Sequence, residues 1–180
     1  MKILKQTELD LLDAAYNNQL NDVRSILSKE VDINCQDSDG MTPLQLALAE
    51  GYSEIVHLLI SHGASLQTVD NEGFSSMHWV IYSGDTELSR LVLKEINDIN
   101  LKDNSGWTPL HCAVADHQKK MVLWLIDNGA QIDLADNENW TPLHFAYSKN
   151  YLEIAQILIE KGANEGMPDF RNRMPFDLKR

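Results

Sequence analysis

Trp107-Thr108-Pro109-Leu110-His111 and its near-copy Trp140-Thr141-Pro142-Leu143-His144 are the stretches whose reading decides the fold. Their prolines stand 33 residues apart, from position 109 to position 142. The same interval backwards reaches Ser76, in Phe74-Ser75-Ser76-Met77-His78, and then Pro43, in Met41-Thr42-Pro43-Leu44-Gln45. Forwards it reaches Pro175, in Arg173-Met174-Pro175-Phe176-Asp177. A period held without insertion over that distance marks a stacked array of repeats.

The phrase has a physical reading. A threonine hydroxyl accepts from an orphan amide at a helix start, which makes it a good N-cap. Proline suits the next position, where no amide hydrogen is needed. Just before the cap pair lies a turn residue: Gly40, Gly73, Gly106, Asn139 or Asn172. Glycine, and less readily asparagine, tolerates positive φ there. Each copy therefore reads as tight turn, cap, helix start. In period and in the T-P-L-H phrase the chain resembles the ankyrin repeat family. Two copies match the phrase in full, and the others depart from it at one to three positions.

The resemblance implies an all-α ankyrin-repeat solenoid of stacked helix-turn-helix pairs with β-hairpin loops. It has four full repeats, an N-terminal cap and a short C-terminal partial repeat. The boundaries are 1–38 for the capping repeat, then 39–71, 72–104, 105–137 and 138–170, with 171–180 as the partial repeat. In the capping repeat, Thr7 with Asp10 is expected to start a helix. Leu9, Leu12 and Ala15 follow helical spacing, and Val23, Ile26 and Leu27 mark a second helix. Gly51 is expected to break the first helix of the next pair, and Gly63, Gly129 and Gly162 to follow second helices. Ile96 stands where Gly63 stood, so that helix should exit differently, because isoleucine avoids left-handed backbone. The stub from Arg171 reads as an end-cap kept soluble by Arg171, Arg173, Lys179 and Arg180; a cut from something longer is the alternative.

The chain has 180 residues and a net charge of −12. That charge argues against unassisted binding to nucleic acid or anionic membrane. It suits a basic or amphipathic protein partner. Two cysteines, Cys35 and Cys112, make no disulfide framework and read as reduced thiols. The N-terminus resembles no secretory signal, and no apolar run approaches a membrane span. A cytoplasmic protein is expected, with a nuclear or non-classically secreted effector as alternatives, and a monomer.

No catalytic, cofactor or metal site is expected, and no enzyme activity. His78, His111 and His144 recur at the repeat interval, so each lies in a different layer. Layers ~10 Å apart cannot share a metal whose bonds are about 2 Å. In the family this histidine is structural, bonding near the threonine and the neighbouring hairpin, and Gln45 in its place fits that role. Cys112 follows His111 directly, but adjacent helical residues point about 100° apart, a poor nucleophile–base arrangement.

The sharper signal lies on positions the repeat leaves free. Met41, Phe74, Trp107 and Trp140 follow the turn residue, a place that in ankyrin arrays sits on the hairpin finger and meets partners. Leu46, Trp79 and Phe145, one residue after the histidine position, would face the concave groove, with Tyr82 at its border. Aromatic residues are the usual anchors of protein interfaces. Asp37, Asp39, Asp70, Glu72, Asp103, Asp136 and Glu138 are expected to form an acidic rim that would prefer a segment with Lys or Arg flanking large apolar residues. Four layers of ~10 Å make a strip that about nine extended residues would span. The competing reading is that the rings pack on adjacent hairpins and close the stack. Asn34 and Asn100 occupy positions that the resemblance marks for asparaginyl hydroxylation or for structure. The expected function is a non-enzymatic scaffold or adaptor that binds protein. The alternative is the targeting part of a larger enzyme, ubiquitin-ligase or secreted-effector system.

Overall fold

A computed structural model describes residues 4–96 and 98–179; Arg180, counted among the solubilising charges, lies outside them. The chain divides into two compact units, Met1–Ile96 and Asn97–Arg180. The first holds α1 (Gln6–Tyr16), α2 (Leu20–Leu27), α3 (Pro43–Glu50), α4 (Ser53–Ser61), α5 (Ser76–Ser83) and α6 (Thr86–Glu95). The second holds α7 (Pro109–Ala115), α8 (Lys119–Asp127), α9 (Pro142–Ser148), α10 (Leu152–Glu160) and a 3-10 turn, Pro175–Leu178. Among the described residues no strand is formed. The expected β-hairpin loops are tight turns, too short to carry a ladder.

The two helices of a pair are built differently. In α3 every residue from Pro43 to Leu48 is buried, whereas α4 buries only Ile55, Val56 and Leu59. The same contrast separates α7, buried from Pro109 to Val114, from α8, which buries Met121, Val122 and Leu125. First helices are thus packed on several sides, and second helices are amphipathic surface helices. Each fully buried Leu or Ile contributes roughly 1.5–3 kcal/mol. Leu44, Leu48, Ile55 and Leu59 supply this in the first unit, and Leu110, Leu125, Leu143 and Ile154 in the second.

Helix starts follow the T-P phrase with one change. Thr42 and Ser75 hydroxyls accept from the N–H of Gln45 and His78. The Ser75, Thr108 and Thr141 hydroxyls also meet the ring Nδ1 of His78, His111 and His144, at 2.8, 2.9 and 2.9 Å. At these three starts the imidazole of the third helical residue joins the hydroxyl in a reciprocal capping box by accepting the N–H of the cap residue. The start of α1 also differs from expectation. Neither Thr7 nor Asp10 caps it; the helix begins at Gln6, and the Lys5 N–H donates to the Glu8 carboxylate at 2.7 Å. Leu9 faces outward, and Leu11, Leu12, Ala14 and Ala15 form the buried side.

Helix ends use glycine at some positions and left-handed Asn18, His117 and Asn150 after α1, α7 and α9. Gly51, Gly63, Gly129 and Gly162 all have positive φ. Ile96 is extended, at φ −92° and ψ 153°, so α6 leaves its last turn by a different route from α4.

Candidate partner-binding surface

Each finger is tied by one aspartate. The Asp37 Oδ1 accepts the N–H groups of Asp39 and Met41 at 2.9 and 2.8 Å. Asp70, Asp103, Asp136 and Asp169 repeat the arrangement with the residues two and four positions on. This is the side-chain turn that short polar residues build best. These five carboxylates belong to the turns, which leaves Asp39, Glu72 and Glu138 as exposed acids of the rim. Neighbouring fingers are stitched together. Asn71 donates its side-chain N–H to the Ser38 carbonyl, and its backbone N–H to that of Asp39. Asn137 does the same to Asn104 and Ser105. A Cβ on Gly106 would come within 2.7 Å of the Asn137 nitrogen, so glycine there serves the close approach as well as its φ of +84°.

Behind each finger apex sits the histidine position. The His111 Nδ1 accepts from the Thr108 N–H at 3.1 Å, which leaves Nε2 to donate to the Trp140 carbonyl at 3.1 Å. Both ring nitrogens are committed to holding one finger to the next helix start. His144 bridges Thr141 and the Arg173 carbonyl in the same way. Burial pushes His144 below the ordinary histidine range, against the opposing pull of that carbonyl. Gln45 reproduces the bridge with an amide. Its Oε1 accepts from the Thr42 N–H, and its Nε2 donates to the Thr68 and Phe74 carbonyls.

The apex rings lie over these histidines. Phe74 stacks on His78 at 5.2 Å between centroids, Trp107 on His111 at 6.3 Å and Trp140 on His144 at 6.2 Å. In the first unit Phe74, Trp79 and Tyr82 form one cluster, with centroids 5.3 to 6.3 Å apart. The Trp79 indole N–H donates to the Asp70 carboxylate at 2.8 Å. In the second unit the Phe145 ring stands edge-on between Trp107 and Trp140, at 4.8 and 5.0 Å. Phe145 is 9 % exposed in the second unit and Leu46 8 % in the first, so each lies beneath the outer side chains of its own unit and offers little area itself. Met41, Phe74, Trp79, Trp107 and Trp140 are half-buried, and Tyr82 is exposed.

Three features of the site were absent from the reading of the sequence. Arg173 lies over the Trp140 ring at 5.7 Å and forms a forked pair with the Asp169 carboxylate. Burial alone would raise that carboxyl, but the Arg173 guanidinium and the N–H groups of Arg173 and Arg171 hold it far below the usual carboxylate range. The Trp140 indole N–H reaches the same carboxylate at 3.1 Å. Finally, α1 and the finger at residues 36–41 enclose a groove of about 1260 Å³ floored by Leu12, Cys35 and Leu46. Leu9, Leu12 and Tyr16 line it from one face of α1, with Leu9 at the exposed edge of the helical spacing.

Asn34 and Asn100 are half-buried, and each side-chain oxygen accepts a backbone N–H of the following repeat, from Ser65 and Gln131. Cys35 and Cys112 are both buried thiols. Among the described residues no helix is long and apolar enough to cross a membrane.

A family model for ankyrin repeats in three copies matches residues 11–103 and again 77–169. A 52-residue stretch is 46 % identical to a protein named palmitoyltransferase AKR1 from Lachancea kluyveri. That stretch is 28 % of this chain and 7 % of the yeast protein. Paired helices, finger turns tied by aspartate and the matched repeats agree, and the chain belongs to the ankyrin repeat family, an all-α repeat solenoid of the kind that mediates protein–protein interaction.

Proposed function

We propose that this chain is a non-enzymatic protein-binding module with four full repeats, at 39–71, 72–104, 105–137 and 138–170. The observation that carries the reading is the repeated pairing of a half-buried ring, held over a histidine, with exposed carboxylates on the fingers. A ring fixed by stacking loses little conformational freedom when a partner covers it, which favours binding. Carboxylates at the border select by charge and speed encounter more than they add affinity. The partner this chemistry suits is a protein segment in which Lys or Arg flanks large apolar residues. Nucleic acid and anionic membrane surfaces are disfavoured by the charge of −12. Buried thiols that form no disulfide with each other fit a reducing compartment such as the cytoplasm.

The test is calorimetric titration of the full chain with such a peptide, beside the variant Asp39→Lys/Glu72→Lys/Glu138→Lys. The expected result is at least ~10-fold weaker binding by the variant, with its melting temperature within about 2 °C of the parent. Equal binding of the basic peptide and an acidic counterpart by the parent chain would sink the reading.

A second reading, as the targeting part of a larger enzyme system, is supported by the stretch shared with the palmitoyltransferase. Finding a transferase domain on the same natural polypeptide would favour it.

A further inference from the structure

We infer that the groove of the first unit takes the C-terminal segment, residues 170–179, of a second copy of this chain. The inference rests on the reading above, that the acidic surface accepts a segment of basic and large apolar residues, and it names that segment. The groove is apolar below and acidic around. Tyr16 and Leu9 stand at its edge, 56 % and 42 % exposed, far more than α1 needs for its own packing. Asp13, Asp32, Asp37 and Asp39 line it, and no lysine or arginine does so among the described residues.

The complementary surface is at the other end of the sequence. Phe170 is 76 % exposed and Phe176 57 %, and Met174 is exposed between them. Large exposed apolar side chains grouped in one short segment mark a contact surface. The charge of that segment is opposite to that of the chain as a whole. Residues 170–179 carry three basic residues, Arg171, Arg173 and Lys179, and one acidic one, Asp177. The Arg173 guanidinium is occupied by Asp169 and Trp140 and the Lys179 ammonium lies over the Phe176 ring, but Arg171 and Lys179 are both exposed. Charge and apolarity therefore match in one pairing: the acidic groove with a basic, aromatic end. Each copy offers one groove and one copy of segment 170–179, so the contact is heterologous, in place of the expected monomer.

Sedimentation of the full chain tests this, with Phe170→Glu as the variant that spoils the end and Tyr16→Lys as the variant that spoils the groove. Both side chains are exposed, so both variants fold. The parent should show a mass above the 20.4 kDa of one chain as concentration rises to about 0.3 mM, less so in high salt. Each variant alone should associate at least ~10-fold more weakly. Mixed together, they should form a one-to-one heterodimer through the single intact groove and single intact end. A parent that stays monomeric overturns the inference, as does association that both variants retain. A synthetic peptide unrelated to this chain, with Lys and Arg flanking Phe, separates the two levels. Its binding by a monomeric parent leaves the functional reading standing; failure of both removes both.

Discussion

At Ser76 the chain departs from the proline that opens three other helices. Its backbone is already suited to proline, because Ser75 is extended at φ −83° and ψ 170°, the region a residue before proline prefers. The Ser76 hydroxyl is buried and finds no hydrogen-bond partner among the described residues. Ser76→Pro should therefore stabilise the chain by about 0.5–1 kcal/mol, by stiffening the unfolded state and removing an unpaired hydroxyl. Thermal unfolding should move up by a few degrees, and a lower midpoint would contradict this account of the helix start. The histidine bridges give a second prediction at this scale. Burial keeps His144 below the ordinary value of 6.5, so it is neutral in the folded chain when the unfolded chain begins to protonate. The unfolded state then binds more protons, and stability falls as pH drops through 6.5 toward the lower folded value. His144→Gln copies the bridge that Gln45 makes. It should cost less than ~1 kcal/mol at pH 7.5 and should flatten the loss of stability between about pH 7 and 5.5. Chemical unfolding at both pH values measures it; an unchanged pH slope would show that His144 does not carry the effect.

At the scale of the element, legibility followed how local the cause was. The starts of α3, α7 and α9 at Pro43, Pro109 and Pro142 were readable, because the cap and the proline are adjacent in sequence. So was the exit of α6 at Ile96, since one β-branched residue rules out the left-handed turn. The cap of α1 was not. Glu8 supplies it from the third helical position, and Thr7, a better cap in isolation, falls inside the helix. Glu8→Ala should cost about 1 kcal/mol and loosen the first turn, since the Lys5 N–H loses its acceptor. Hydrogen exchange would show faster protection loss at residues 5–9 and little change in α3. Slower or unaltered exchange there would remove Glu8 from the capping role. The finger rings were legible as residues but not as a surface. Position alone placed Trp107, Trp140 and Phe145; only coordinates reveal that Phe145 fills the space between the two indoles. The ring contacts support the packing reading, and the binding reading remains our proposal for the outer parts of the same rings. The rings bind one another from below, and their half-buried outer parts remain for a partner.

At the scale of the whole molecule, a repeat array makes its core from neighbour to neighbour, so finger positions are free of the duty of folding. That freedom is why fold and function separate here: the repeat period reads from one sequence, whereas the partner depends on what the free positions present. The four tryptophans provide an internal test of where a partner docks. Trp79 belongs to the ring cluster of the first unit, Trp107 and Trp140 to that of the second, and Trp124 lies on α8, a second helix of its pair. The decisive measurement is a nitrogen–proton correlation spectrum of the full chain, following the four indole signals as a peptide with Lys and Arg flanking Phe is added. The account predicts that the signals of Trp79, Trp107 and Trp140 move with the titration while that of Trp124 stays in place. Movement of Trp124 with the other three unmoved would contradict it.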